Sequence, residues 1–137
     1  MPLFTKLGKY SSTALLILRI GIGIMMMMHG YPKLAGGPEK WEKLGGAVGT
    51  IGIHFAPTFW GFMAAITESI GGLFLLLGLF FRPTAFLLLF TMVVAVTKHL
   101  TGGADGGLMD ASEAIELGTV FLALFIMGPG SYSIDKS

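Results

Sequence analysis

The chain has 137 residues, room for one domain of ordinary size, and only 12% of them are charged, against about 25% in a typical soluble domain. With 53% hydrophobic residues and a mean hydropathy of +0.77, it has too little polar surface to cover a water-soluble globule, so the composition points to an integral membrane protein. Its 9 basic and 8 acidic side chains leave a net charge of +1 and form no basic stripe, which excludes a nucleic-acid binder.

Residues 11–31 (SSTALLILRIGIGIMMMMHGY) form the first apolar segment. Lys6 and Lys9 precede it as in a signal peptide, but the run is long, contains Arg19 and is followed by no small-residue cleavage site, so a retained helix is the better reading. In the long connection that follows, residues 38–48 (PEKWEKLGGAV) predict a short interfacial helix with Trp41 at headgroup level, and Trp60 is placed at the same level. The second, third and fourth apolar segments cover residues 57–80, 83–100 and 111–127. Each is near the roughly 20 residues a helix needs to cross a bilayer core of about 30 Å. None shows the alternation of a membrane β-barrel. Arg82-Pro83 predicts a tight connection, residues 102–107 (GGADGG) break the chain between the third and fourth helices, and Gly128-Pro129-Gly130 stops the last. The fold expected is all-α: a single domain made of a four-helix membrane bundle, with a short interfacial helix between the first and second spans. Both termini then share one side, here labelled inner. Charge bias leaves the orientation open, with Lys6, Lys9, Arg82 and Lys136 on that side against Lys33, Lys40, Lys43 and Lys98 on the other.

Ionisable groups inside a bilayer are expensive and mark function. Helix rise places Arg19 about 12 Å from the inner end of the first span, and Glu68 about 16 Å from the outer end of the second. Both fall near the midplane, where an unpaired charge costs about 2.5–3.5 kcal/mol. They are therefore expected to form an ion pair, either as a structural bridge that fixes helix register or as the floor of a ligand cavity. A second polar set lies at the outer ends: His29 and Lys33, Lys98 and His99, Glu113 and Glu116. Snorkelling accounts for the lysines. The two histidines with Glu113 and Glu116 admit capping and interhelical hydrogen bonding, a pocket for a quinone head group or another small polar molecule, or a zinc or iron site. No H-E-x-x-H or E-x-x-H motif supports the metal. Met25 to Met28 cover every face of a helix and read as adaptable packing. Gly21, Gly23, Gly71 and Gly72 predict close approach of the first and second spans. No nucleophile elbow, phosphate loop or dinucleotide fingerprint is present. The absence of cysteine removes disulfides, iron–sulfur clusters and thiol relays carried by the chain itself, so a redox role needs a bound cofactor or a partner protein.

The segments LRIGIGIMMMMHGYPKL, ESIGGLFLLLGLFFRPTA and GPGSYSID, with the spacing of the four spans, resemble the DoxX family of small bacterial membrane proteins. The resemblance covers nearly the whole chain. It implies a four-helix bundle in the cell membrane with both termini cytoplasmic. It also implies a link to a membrane subunit of a thiosulfate–quinone oxidoreductase and to membrane-associated oxidative-stress complexes. The family's polar pattern falls on Arg19, His29, Lys33, Glu68 and Arg82, with Tyr132, Ser133 and Asp135 in its C-terminal signature; Lys98, His99 and Glu113 fit it less closely. Related membrane thiol oxidoreductases use cysteine pairs, which this chain lacks.

The expected function is that of a redox-linked subunit with an outer pocket built from His29, Lys33, Glu68, His99, Glu113 and Glu116 that holds a quinone, with Arg19 as the counter-ion of Glu68. His29 or His99 would exchange protons, and electrons would come from a partner protein. The alternative is a non-enzymatic scaffold or a module binding lipid or a small molecule. A transporter would require a homo-oligomer, and no inverted repeat supports it.

Overall fold

The computed structural model describes residues 5–46, 49, 52–101 and 108–135. A 3₁₀ turn, Thr5–Tyr10, leads into α1 (Ser11–Ala35). Then follow α2 (Pro38–Gly45), α3 (Pro57–Leu77), α4 (Phe81–Thr101) and α5 (Leu108–Met127). The four long helices coincide with the four apolar segments to within a few residues. The expected break at residues 102–107 lies outside the described residues.

The boundaries have local causes. Proline opens α2 and α3, where its missing N–H would have had no helical partner. α3 stops three residues before the expected end because Gly78 turns left-handed (φ 69°), its N–H bonded to Leu75 O and that of Leu79 to Phe74 O. α1 runs through Pro32 to Ala35 instead of ending at Tyr31. α2 forms the described part of the expected interfacial helix, whose residues 47 and 48 lie outside the described residues, and Trp41 packs at the end of α1. Its Nε1 donates to the carbonyls of Lys33 (3.1 Å) and Leu34 (3.3 Å), and its ring lies against Phe62 at 4.7 Å. α2 is thus docked onto the end of α1 and the start of α3.

α1 packs along α3, α3 beside α4, and α4 along α5. The common core contains Leu15, Met26, Leu75, Phe81, Leu88, Met92, Phe121 and Leu124. The outer faces carry exposed Ile17, Ile24, Leu73, Phe86, Leu122 and Ile126, a surface suited to hydrocarbon rather than water. Among the described residues, three helical stretches, Leu7–Ala35, Pro57–Leu77 and Phe81–Lys98, are long and apolar enough to cross a membrane, with mean hydropathies of 1.7, 1.6 and 1.4. α5 carries Asp110, Glu113 and Glu116 in its first turns, ahead of a fully apolar run from Leu117 to Met127 broken only by Gly118 and Thr119.

Candidate functional site

Glycine contacts set how α1 lies on α3. A methyl group on Gly23 would come within 2.6 Å of Gly72 O, and one on Gly30 would collide with the backbone of Glu68 and Ser69. The two backbones are therefore in direct contact, as expected for small residues in lipid-embedded helices. Of the four glycines expected there, Gly23 and Gly72 form the contact. Gly21 faces open space, and Gly71 faces Thr84 and Leu88 of α4.

This register overturns the expected ion pair. Gly30 lies opposite Glu68, so Arg19 lies opposite the end of α3, about 16 Å further along the helix axis. Arg19 is 1% exposed and bonds only to carbonyl oxygens among the described residues: Leu75 (3.0 Å), Leu76 (2.8 Å), Pro129 (3.2 Å) and Tyr132 (2.6 Å). It ties two carbonyls in the last turn of α3 to the segment after α5. That segment continues the tie. Ile134 N–H donates to Leu77 O, Asp135 N–H donates to Gly78 O, and the Asp135 carboxylate accepts from the N–H groups of Phe80 (3.0 Å) and Phe81 (2.7 Å). Arg82 adds a bond from Nε to Phe125 O at the C-terminal end of α5. Arg19 and the C-terminal signature are thus one structural clamp at the inner end.

Glu68 has a different partner. Lys33 Nζ lies 2.7 Å from its Oε2, with the lysine side chain 31% exposed and the glutamate 6%. The pair lines a cavity of about 350 Å³ between α1, α3 and α4, roofed by Leu44 of α2. α3 contributes Trp60, Met63, Ala64, Thr67 and Glu68, and α4 contributes Leu87, Phe90, Thr91, Val94, Ala95 and Lys98. Both sets recur at three and four residues, so each is one face of its helix. The Thr67 and Thr91 hydroxyls donate back to Met63 O and Leu87 O, which leaves their oxygens as acceptors only. Trp60 Nε1 is buried with no hydrogen-bond partner among the described residues. Lys98 is exposed and has no ion-pair partner among them.

Of the six expected site residues, the structure therefore places Lys33 and Glu68 on the cavity wall. His29 and Glu113 lie apart from the cavity and face each other across α1 and α5 at 3.6 Å, both well exposed. Glu116 is exposed and does not line the cavity. The side chain of His99 lies outside the described residues. Among the described residues, no three His, Cys, Asp or Glu side chains converge on a metal position. The residues that sequence reasoning missed are Trp60, assigned to a headgroup belt, and Lys98, assigned to snorkelling. The signal for both was the helical spacing of Trp60 with Ala64 and Thr67, and of Thr91 with Val94 and Lys98. A second groove, between α4 and α5 and lined by Leu89, Met92, Val96 and Gly118, has no ionisable side chain on its walls.

A family model described as DoxX matches residues 14–100. The chain is 30% identical to the inner membrane protein YphA of Escherichia coli (strain K12), over 94% of this chain and 93% of that protein. It is 30% identical to the inner membrane protein YqjF of the same organism, over 93% of this chain and 94% of that protein. An uncharacterized protein of Haemophilus influenzae is 29% identical over 96% of this chain and 95% of its own length. No solved structure matches.

Proposed function

The chain belongs to the DoxX family of inner-membrane proteins, and from that premise we propose that it is a redox-linked membrane subunit holding a lipid-soluble quinone in the cavity between α1, α3 and α4. The observation that carries this reading is the orphaned Nε1–H of Trp60 on the cavity wall. A buried donor without an acceptor costs about 1–3 kcal/mol. A quinone carbonyl is an acceptor that brings no competing proton, and Lys98 offers a second donor at the same end of the cavity. The aromatic walls of Trp60 and Phe90 suit a flat ring, and the half-exposed Leu87 and Phe90 leave a lateral opening through which an isoprenoid tail reaches lipid. The Lys33–Glu68 pair closes the floor and fixes the head group's depth. In this reading α1, α3, α4 and α5 all cross the membrane, both termini are cytoplasmic, and electrons arrive from a partner protein. The test is extraction of quinone from purified protein, with titration of a short-chain ubiquinone followed by thermal midpoint. Expected are a bound quinone, or a concentration-dependent rise in the midpoint that Trp60→Phe abolishes. No extractable quinone together with no rise overturns the proposal.

A further inference from the structure

A neutral occupant meets the cavity's hydrogen-bond donors but leaves one of the cavity's charges unneutralised. Glu68 and Lys33 neutralise each other at 2.7 Å. The threonine hydroxyl protons are held by Met63 O and Leu87 O. What remains unmatched among the described residues is one neutral donor, Trp60 Nε1, and one cation, Lys98. Both belong to the same end of the bundle, Trp60 in the first turn of α3 and Lys98 in the last turns of the antiparallel α4. A head group that accepts hydrogen bonds and also carries negative charge answers both more fully than a neutral acceptor.

We infer that the cavity also binds a single-chain amphiphile with a carboxylate head, of the fatty-acid class, and that such a molecule competes there with any neutral occupant. The carboxylate oxygens take the Trp60 indole N–H and the Lys98 ammonium. The chain runs inward past Met63, Val94 and Phe90 and leaves through the lateral opening at Leu87. That is the orientation the molecule already has in one leaflet, so entry needs no inversion. A volume of about 350 Å³ admits one chain and is too small for a two-chain phospholipid; it lies at the low end of the roughly 300–1,000 Å³ of small-molecule sites. Carboxylate binding requires the cavity and not electron transfer, so it stands or falls separately from the quinone reading.

The experiment compares three probes with one chain and different heads, dodecanoate, dodecanol and dodecyltrimethylammonium, titrated against the full-length protein in neutral maltoside micelles. Apparent affinities are read from thermal midpoints. Dodecanoate is expected to bind about tenfold more tightly than dodecanol, as a charge-assisted hydrogen bond implies, with the ammonium probe weakest. Lys98→Gln removes the preference for dodecanoate and leaves dodecanol binding unchanged. Trp60→Phe weakens both. Equal binding of dodecanoate and dodecanol by the unaltered protein overturns the inference. So does a preference that survives Lys98→Gln, or phosphatidylglycerol competing as well as dodecanoate. A short-chain ubiquinone titrated in parallel separates the two proposals. Quinone binding without carboxylate selectivity removes this one alone, and carboxylate binding without quinone binding removes the redox reading alone.

Discussion

A guanidinium carries its N–H donors in a rigid fork, and Arg19 directs that fork at four carbonyl oxygens from two chain segments that end in the same place. A lysine at this position keeps the charge but has three donors radiating from one atom, so it cannot span Leu75, Leu76, Pro129 and Tyr132 together. Arg19→Lys is therefore expected to cost about 2 kcal/mol, the scale of a lost hydrogen bond to a charged group. It should also expose residues 128–135 to protease in detergent solution. Glu68→Gln should leave that tail protected, because Glu68 takes no part in the clamp; a tail released equally by both substitutions would refute the separation of the two sites. The Lys33–Glu68 pair makes a second, asymmetric prediction. Without Glu68, the 31%-exposed Lys33 can turn toward water, whereas without Lys33 the 6%-exposed Glu68 is left as a buried, unpaired charge. Lys33→Met should thus cost about 3 kcal/mol and Glu68→Gln distinctly less, with the double variant more stable than Lys33→Met alone. A double-mutant cycle on unfolding midpoints checks the order. The sequence showed that Arg19 and Glu68 needed partners, since charge at membrane depth is costly whatever its surroundings. It did not show which partners. Depth counted from helix ends leaves helix rotation and register free, and a guanidinium is satisfied by backbone carbonyls that leave no mark in a sequence.

At the scale of the helices, the long apolar helices were legible because a bilayer imposes a length and because proline and glycine punctuate the ends. How the helices fit together was legible only in outline. The glycines announced a close α1–α3 contact, yet four were candidates and two meet, Gly23 and Gly72. This divides the glycines by expected response. Gly72→Ala places a methyl against backbone of α1 and should lower the thermal midpoint, since backbone on a packed helix cannot give way cheaply. Gly21→Ala points into open space and should leave the midpoint unchanged or raise it, by up to about 1 kcal/mol of helix propensity. Equal loss from both would mean that the register is wrong. The start of α4 depends on a residue far away in sequence. Asp135 accepts from the N–H groups of Phe80 and Phe81, doing from the tail what an N-cap side chain does locally. Asp135→Ala should cost about 1 kcal/mol, in the range of a lost helix cap. Because the same carboxylate holds the tail, protease sensitivity of the tail should rise together with the fall in midpoint. The aspartate of the C-terminal signature is thus explained by helix capping and not by chemistry.

For the whole molecule the open question is whether α5 crosses the membrane, given its three acids. Geometry supplies a constraint that hydropathy does not. The segment after α5 is bonded to Leu77 and Gly78 at the α3–α4 turn, and Ser131 lies 3.1 Å from Ser12 at the start of α1. The end of α5 is therefore at the inner end of the bundle. Its beginning lies at the other end, where Glu113 faces His29 near the end of α1. With 20 residues, α5 is about 30 Å long and covers the same thickness as its neighbours. If α5 crosses, its acids, in the first turns, fall at headgroup level and not in the hydrocarbon. The chain lends itself to a direct check because it contains no cysteine, so a single introduced thiol has no background. Phe55→Cys, in the exposed segment before α3, and Glu113→Cys should react with a membrane-impermeant maleimide added to spheroplasts. Ser131→Cys should react only after permeabilisation. Labelling of Glu113→Cys and Ser131→Cys from the same side would show that α5 does not cross. Labelling of Ser131→Cys alone in intact spheroplasts would keep four spans and reverse the orientation. The cavity would then open toward the cytoplasm, and any ligand would enter from the inner leaflet.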